Sequence, residues 1–335
     1  MRQLPAFRRA GLPVVVALLA ASLAACGGDD GGGGGGSASP GGTGGELRKV
    51  SVGVIPILDV APLYLGIEKG FFAEHGLEVT PTPAQGGAAI VPAVLAGSND
   101  FGFSNVVSLL TARDKGVPLV AVAGGSSSTG DPAKDFNSVL VAKESTLRSA
   151  RDLAGKTVAI NTLNNIGDTT VRAAVEKAGG DPSAVKFVEL PLPDMPAQLA
   201  AGRIDAAWTS EPFVAAIKAQ GGRVLVDALT ETYASLQVAA YFTSEQTKAK
   251  DPQLVKDFVA AMNQSLQYAT AHPDEARAVV STYTKITPDV AAGVVLPGWP
   301  AELDQDSLTA VGQAARKYGT LKNDPDVKGL LGLDG

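Results

Sequence analysis

The chain has 335 residues, of which 45% are hydrophobic, and a formal net charge of −6. One cysteine leaves no internal disulfide, so the fold must rest on a hydrophobic core, for which the length suffices. An acidic balance with no basic stripe excludes nucleic acid as the expected partner.

The N-terminus reads as an export signal. Arg2, Arg8 and Arg9 precede the apolar run Leu12–Leu23, which is short for a bilayer span, and Leu23-Ala24-Ala25-Cys26 closes it. Leu-Ala-Ala-Cys is similar to the lipobox of bacterial lipoproteins, which implies a signal peptide over 1–25 and lipid attachment at Cys26. Loss of the three arginines would take the net charge to near −9. Residues 26–46 are mostly Gly, Ser, Asp and Pro and bury nothing, so they read as a flexible tether. The run Gly31–Gly36 has no strand before it and no helix after it, which excludes a phosphate cradle.

From Val50 the pattern is α/β. Val50–Ile55 reads as a buried strand, Asp59 lies in the loop after it, and Leu63, Ile67 and Phe71 share one helical face. A second strand around Val79 leads to Gln85-Gly86-Gly87 and a helix ending at Gly97. A short apolar strand follows, then the helix Val106–Lys115 and the strand Pro118–Ala123. The polar, Gly-rich stretch Gly124–Lys134 marks a first crossing between lobes, with Ser126–Thr129 expected on its surface. Strands are expected at Ser138–Ala142, up to Ile160, at Val185–Leu190 and at Arg223–Val226. Asn161–Thr170 leads into the helix that stops at Gly179-Gly180, with Asn165 or Asp168 as its cap. Val238–Thr243 reads as the return crossing. Thereafter the chain is helical, over Pro252–His272, Pro273–Tyr283, Pro288–Leu296 and Ser307–Tyr318.

Within this pattern one segment occurs twice, at an offset of 105 residues. Ala96-Gly97 matches Ala201-Gly202, Asp100 matches Asp205, Phe103 matches Trp208, Ser104 matches Thr209 and Gly116 matches Gly221. Each copy is a helix ending at a glycine, a short strand, and a polar pair able to cap the next helix. Sheets of such steps bind ligands at the carboxyl ends of their strands, beside helix N-termini. Two copies imply two lobes and a cleft between them.

The residues at those strand ends are the candidate ligand contacts: Asp59, Gln85, Ser104, Asn105, Thr162, Asn164, Trp208 and Glu211. Capping alone would also explain Asp59, Ser104, Asn105 and Glu211, and Trp208 is either an aromatic wall or core. In the cleft, Glu211 would select for N–H or cationic groups and against a bare anion. Gly155-Lys156-Thr157 ends like a P-loop, but Ala150 stands where that motif needs glycine and a strand follows. His75 and His272 lie far apart, so no metal site, cofactor or catalytic triad is expected.

The segments Leu65–Phe72 with His75–Val79, Ala96-Gly97 with Asp100–Gly102, Asp152–Ala159, Ala201–Ala207 and Glu211-Pro212-Phe213 resemble a known family. It is the extracytoplasmic solute-binding proteins of ABC importers, in the branch for nitrate, sulfonate and taurine, and thiamine-pyrimidine precursors. The resemblance implies a type II periplasmic-binding-protein fold, with two α/β lobes joined by two hinge strands and C-terminal helices packed on lobe 1. Lobe 1 would comprise 47–135 and 244–335, and lobe 2 136–243. It further implies a monomeric, non-catalytic receptor, lipid-anchored to the outer face of the cell membrane or periplasmic, that delivers a small solute to a membrane permease. A sulfonate, taurine or nitrate-like solute is expected on family frequency; the alternative is a thiamine-pyrimidine precursor, another aromatic heterocycle or a carboxylate. Thiamine-pyrimidine synthases share the fold but use a cysteine-rich motif, and the lone Cys26 argues against that enzyme reading.

Overall fold

A computed structural model describes residues 46–333. The proposed signal peptide, Cys26 and almost all of the tether lie outside the described residues.

The chain begins with β1 (Arg48–Val54), α1 (Ala61–Glu68), α2 (Phe71–Glu74), β2 (Leu77–Pro83), α3 (Gly87–Leu95), β3 (Phe101–Asn105), α4 (Val106–Asp114) and β4 (Leu119–Gly124). It then crosses to β5 (Asn137–Val141), β6 (Thr157–Ile160), α5 (Ile166–Lys177), β7 (Lys186–Glu189), α6 (Met195–Ala200), β8 (Ala206–Ser210), α7 (Phe213–Ala219), β9 (Arg223–Val226) and α8 (Ala228–Thr232). After β10 (Ala239–Ser244) it is helical: α9 (Glu245–Lys250), α10 (Pro252–Ala271), α11 (Pro273–Tyr283), α12 (Pro288–Ala292), α13 (Gln305–Lys317) and α14 (Val327–Leu331).

Among the described residues the strands form two five-stranded sheets, in the orders β2-β1-β3-β10-β4 and β7-β6-β8-β5-β9. The two follow one plan. In each, the first three strands are parallel, and the fourth runs antiparallel to both its neighbours. That fourth strand also carries a register shift at the same place, between Tyr241 and Phe242 in one sheet and Val139 and Leu140 in the other. Pro81 and Pro83 are tolerated in β2 because it lies at a sheet edge, where a missing N–H breaks no second ladder.

Both fourth strands sit next to a crossing. The outgoing and returning segments pair with each other: Ser128 N–H donates to Leu236 O at 2.8 Å and Val238 N–H to Ser126 O at 2.8 Å. Val238–Thr243, expected to be the return crossing itself, is mostly a strand of the first sheet. Its buried residues fill the gap between β3 and β4, so the crossing proper ends before Ala239.

Helix α10 covers the first sheet because its apolar residues recur at helical spacing. Leu254, Phe258, Ala261, Met262, Leu266 and Ala269 are buried, and the Phe258 ring stacks on Phe101 with centroids 3.9 Å apart. Helix α13 packs on α4 of this lobe and also reaches the second lobe. Lys317, at its end, pairs with Glu176 of α5 at 2.5 Å, and Tyr318 O–H donates to the same carboxylate at 2.6 Å. Helices α10, α11 and α14 thus pack on lobe 1. Helix α13 packs on α5 and α8 of the second lobe as well as on α4, and α12 meets α7. The expectation of C-terminal helices packed on lobe 1 alone does not hold for these two.

Truncating Phe258 to alanine removes a fully buried ring and should destabilise the protein by about 3–5 kcal/mol. Denaturant unfolding of the Phe258→Ala variant measures this; a loss below about 1 kcal/mol would mean that α10 is not seated on the sheet.

Candidate functional site

Side chains alternate along a strand, and at the ends of β3 and β8 the alternation falls in the same phase. Phe103 and Asn105 on one strand, and Trp208 and Ser210 on the other, line one hollow between the lobes. These are equivalent positions of the duplicated segment. The neighbouring strands complete the walls in the same symmetric way: Ala239 pairs with Asn105, and Asn137 pairs with Ser210. The hollow measures about 40 Å³, enough for about three water-sized bodies.

Its polar groups are unevenly matched. Asp59, 2% exposed, accepts Ser126 O–H at 2.5 Å through Oδ2 and Ser210 O–H at 3.2 Å through Oδ1. Burial pushes its carboxyl up to about 6, against the two hydroxyl bonds, which act the other way. Trp208 Nε1–H and Asn137 Oδ1 are buried in the same walls without a protein partner. An indole nitrogen can only donate, whereas a side-chain amide can donate or accept. No Arg, Lys or His is among the residues lining this hollow.

A second chamber, about 260 Å³, shares the lining residues Ile55, Ile57 and Leu192 with the first. Its other walls are Pro56, Pro83, Ala84, Gln85, Pro191, Pro193 and Phe213, drawn from both lobes. Gln85 is the sole polar side chain there, and no charged residue lines it.

The lobes touch around these chambers. Besides the Asp59–Ser210 bond, Leu58 N–H donates to Glu211 O at 3.0 Å, and Asn165 Nδ2 donates to Ser108 Oγ at 2.8 Å. Gly86 comes so close to the second lobe that a Cβ there would lie 2.7 Å from Thr162 Oγ1.

Of the residues expected at the site, Asp59, Asn105 and Trp208 line the inner hollow and Gln85 the outer chamber. Asp59 is not a helix cap, whereas Asn105 caps α4, accepting Ser108 N–H at 2.9 Å. Ser104 points the other way: a Cβ on Gly87 would lie 2.0 Å from its Oγ, so strand alternation turns it onto α3. Thr162 and Asn164 line a different groove between the lobes, about 640 Å³, with Gly87, Leu95, Ser108 and Leu163. The Glu211 side chain is tied to backbone, accepting Ala215 N–H at 2.9 Å and Val295 N–H at 3.2 Å, so it braces α7 against the segment after α12. Asn165 caps α5 with Asp168 reciprocating, and Ser126, expected on a surface, is fully buried against Asp59. Phe103, Asn137, Asn161, Pro191, Pro193 and Phe213 are not among the expected contacts, whereas Ser210 is the counterpart of Asn105 in the second copy of the repeat. Period-two alternation applied to the repeat would have found Phe103; Asn137 and the prolines carry no comparable signal.

The sequence matches the NMT1/THI5-like family over residues 58–276, and the chain belongs to that family. A Brucella abortus protein named only as a binding protein is 26% identical over 221 residues, which are 65% of this chain and 66% of that one, so the chain spans just under two thirds of this relative. A formylaminopyrimidine-binding protein of Halalkalibacterium halodurans is 29% identical over 144 residues, 43% of this chain and 41% of the relative. Among solved structures, the alkanesulfonate-binding protein SsuA of Xanthomonas axonopodis pv. citri superposes with a TM-score of 0.69 at 18% identity, covering 84% of this chain and 96% of that one. The fold is accordingly that of the two-lobed periplasmic binding proteins.

Buried acids near the crossings give the protein a characteristic pH dependence. Burial raises Asp59 and Asp227 to about 6 and Glu211 to about 7, from ordinary values of 3.8, 3.8 and 4.5. The folded state therefore holds more protons than the unfolded chain between these limits. The stability from these groups is complete below their ordinary values and is lost as the pH rises through about 6–7. Scanning calorimetry should give a Tm several degrees higher at pH about 5 than at pH about 8. An equal or higher Tm at the alkaline end would mean that these carboxyls ionise in the fold without cost.

Proposed function

We propose that the chain is the solute-capturing receptor of an ABC importer, exported and held at the membrane by a lipid on Cys26. It closes its two lobes on a small organic solute and presents the closed form to a permease. The observation that carries this reading is the hollow shared by equivalent positions of the two lobes, Phe103 and Asn105 facing Trp208 and Ser210. A solute with one group seated there touches both lobes, and only a ligand with higher affinity for the closed arrangement can shift the population toward it. The absence of any membrane-crossing helix among the described residues is compatible with this role.

Asp59 and the absence of a cationic lining residue favour a solute carrying N–H donors, such as an aminopyrimidine, over a sulfonate, taurine or nitrate. An anion brought beside a buried carboxylate with no compensating cation would meet repulsion that water cannot screen. Helix N-termini could offset this, but those of α4 and α5 already have side-chain caps in Asn105 and Asn165. The similarity to a formylaminopyrimidine-binding relative agrees in direction.

A thermal-shift panel of aminopyrimidines, alkanesulfonates, taurine and nitrate tests both parts. A true solute at ~100 times its dissociation constant should add about 2.7 kcal/mol of stability. The aminopyrimidines should shift the Tm and the anions should not; a shift by nitrate or sulfonate alone would overturn the solute class, and no shift by any solute would overturn the receptor reading. In the Trp208→Ala variant the active solute should bind at least about tenfold more weakly, the cost of a lost wall and donor. Unchanged affinity on titration would assign Trp208 to the core.

A further inference from the structure

We propose that the solute is bipartite: a small head with N–H groups enters the inner hollow, and an apolar body fills the outer chamber. This rests on the receptor reading above and adds what the second chamber is for.

The inner hollow is too small for a whole metabolite. At about 40 Å³ it admits a group of a few heavy atoms. Its walls include the Asp59 carboxyl and no cationic side chain. Buried groups of this kind are costly unless something hydrogen-bonds to them. A head that offers N–H donors gives the Asp59 carboxylate a further partner from the hollow.

The outer chamber has the opposite chemistry. About 260 Å³ in volume, it adjoins the inner one, with Ile55, Ile57 and Leu192 bordering both. Pro56, Pro83, Pro191 and Pro193 supply walls whose backbone nitrogens carry no hydrogen. Phe213 closes one side with an aromatic surface. Such walls can hold a ring or a short alkyl chain and give a charged or strongly hydrated body nothing to bond. Together the two chambers fall at the small end of the roughly 300–1,000 Å³ range of small-molecule sites. Because both lobes contribute to the outer walls, the body as well as the head would favour closure.

The test is a homologous series of aminopyrimidines bearing methyl, ethyl, propyl and butyl groups, titrated calorimetrically into the full exported chain and into Pro193→Glu. Pro193 is exposed at the chamber rim, so a glutamate there places charge in the body site without disturbing the core. Affinity should climb with chain length, by up to about fourfold per methylene. In Pro193→Glu that climb should flatten, so that the butyl compound loses several-fold more affinity than the methyl compound. A flat series in the parent protein, or an equal loss for every member in the variant, would overturn the proposal. If alkanesulfonates bind and no aminopyrimidine does, the N–H head is wrong and the receptor reading stands. If nothing in either series binds, both fall.

Discussion

A strand shows its residues to alternate faces, and this constraint decides what the duplicated segment can do. Because β3 and β8 end in the same phase, the pairs Phe103/Trp208 and Asn105/Ser210 turn toward each other across the interlobe gap, and Ser104 and Thr209 do not line it. The antiparallel fourth strands repeat the logic, adding Ala239 from one sheet and Asn137 from the other. Both of these strands lie beside a crossing, and Phe136 and Val238, next to the crossings, also line the hollow. Any solute held there is in contact with the two lobes and with the segments about which they would move. Binding and closure are then one event seen from two sides.

The electrostatics of the crossings follow from how their acids are satisfied. Asp59 is bonded by Ser126 and Ser210, Asp135 by Ser128 at 2.6 Å, and Asp227 by Ser138. Neutral hydroxyls ease a buried carboxylate without placing a full positive charge beside it, so burial outweighs them and all three carboxyls titrate above their ordinary range. The hollow beside these acids is lined by the Asp59 carboxyl and by no Arg, Lys or His, and the proposed preference for N–H donors over anions is drawn from that feature.

Much of this architecture could be read from the residues alone. The offset repeat implied two lobes, and the apolar runs around Val50, Phe103, Ile160 and Trp208 placed their strands. Pro252 opens the first of the expected C-terminal helices, and α10 starts there. Three things were not legible, each for a physical reason. The repeat locates the strand ends but not which face meets the gap, which is why Ser104 is expected there although its side chain turns onto α3. Glu211 reads the same whether it caps, braces or binds; only the approach of Val295, more than eighty residues later, settles that it is tied to backbone. The Val238–Thr243 run is equally apolar as a crossing or as a strand, and its place between β3 and β4 depends on a gap that the sequence does not display.

The central claim is that the two lobes close together on a solute gripped by both. The direct measurement is the distance between spin labels at Leu95→Cys and Leu163→Cys, introduced with Cys26→Ser to remove the native thiol. Both positions are exposed and lie on opposite lobes, across one surface groove. Pulsed dipolar spectroscopy should give a broad or longer distance distribution without solute, and a single short one when the solute that raises the Tm is added. Identical distributions at saturating solute would contradict the account.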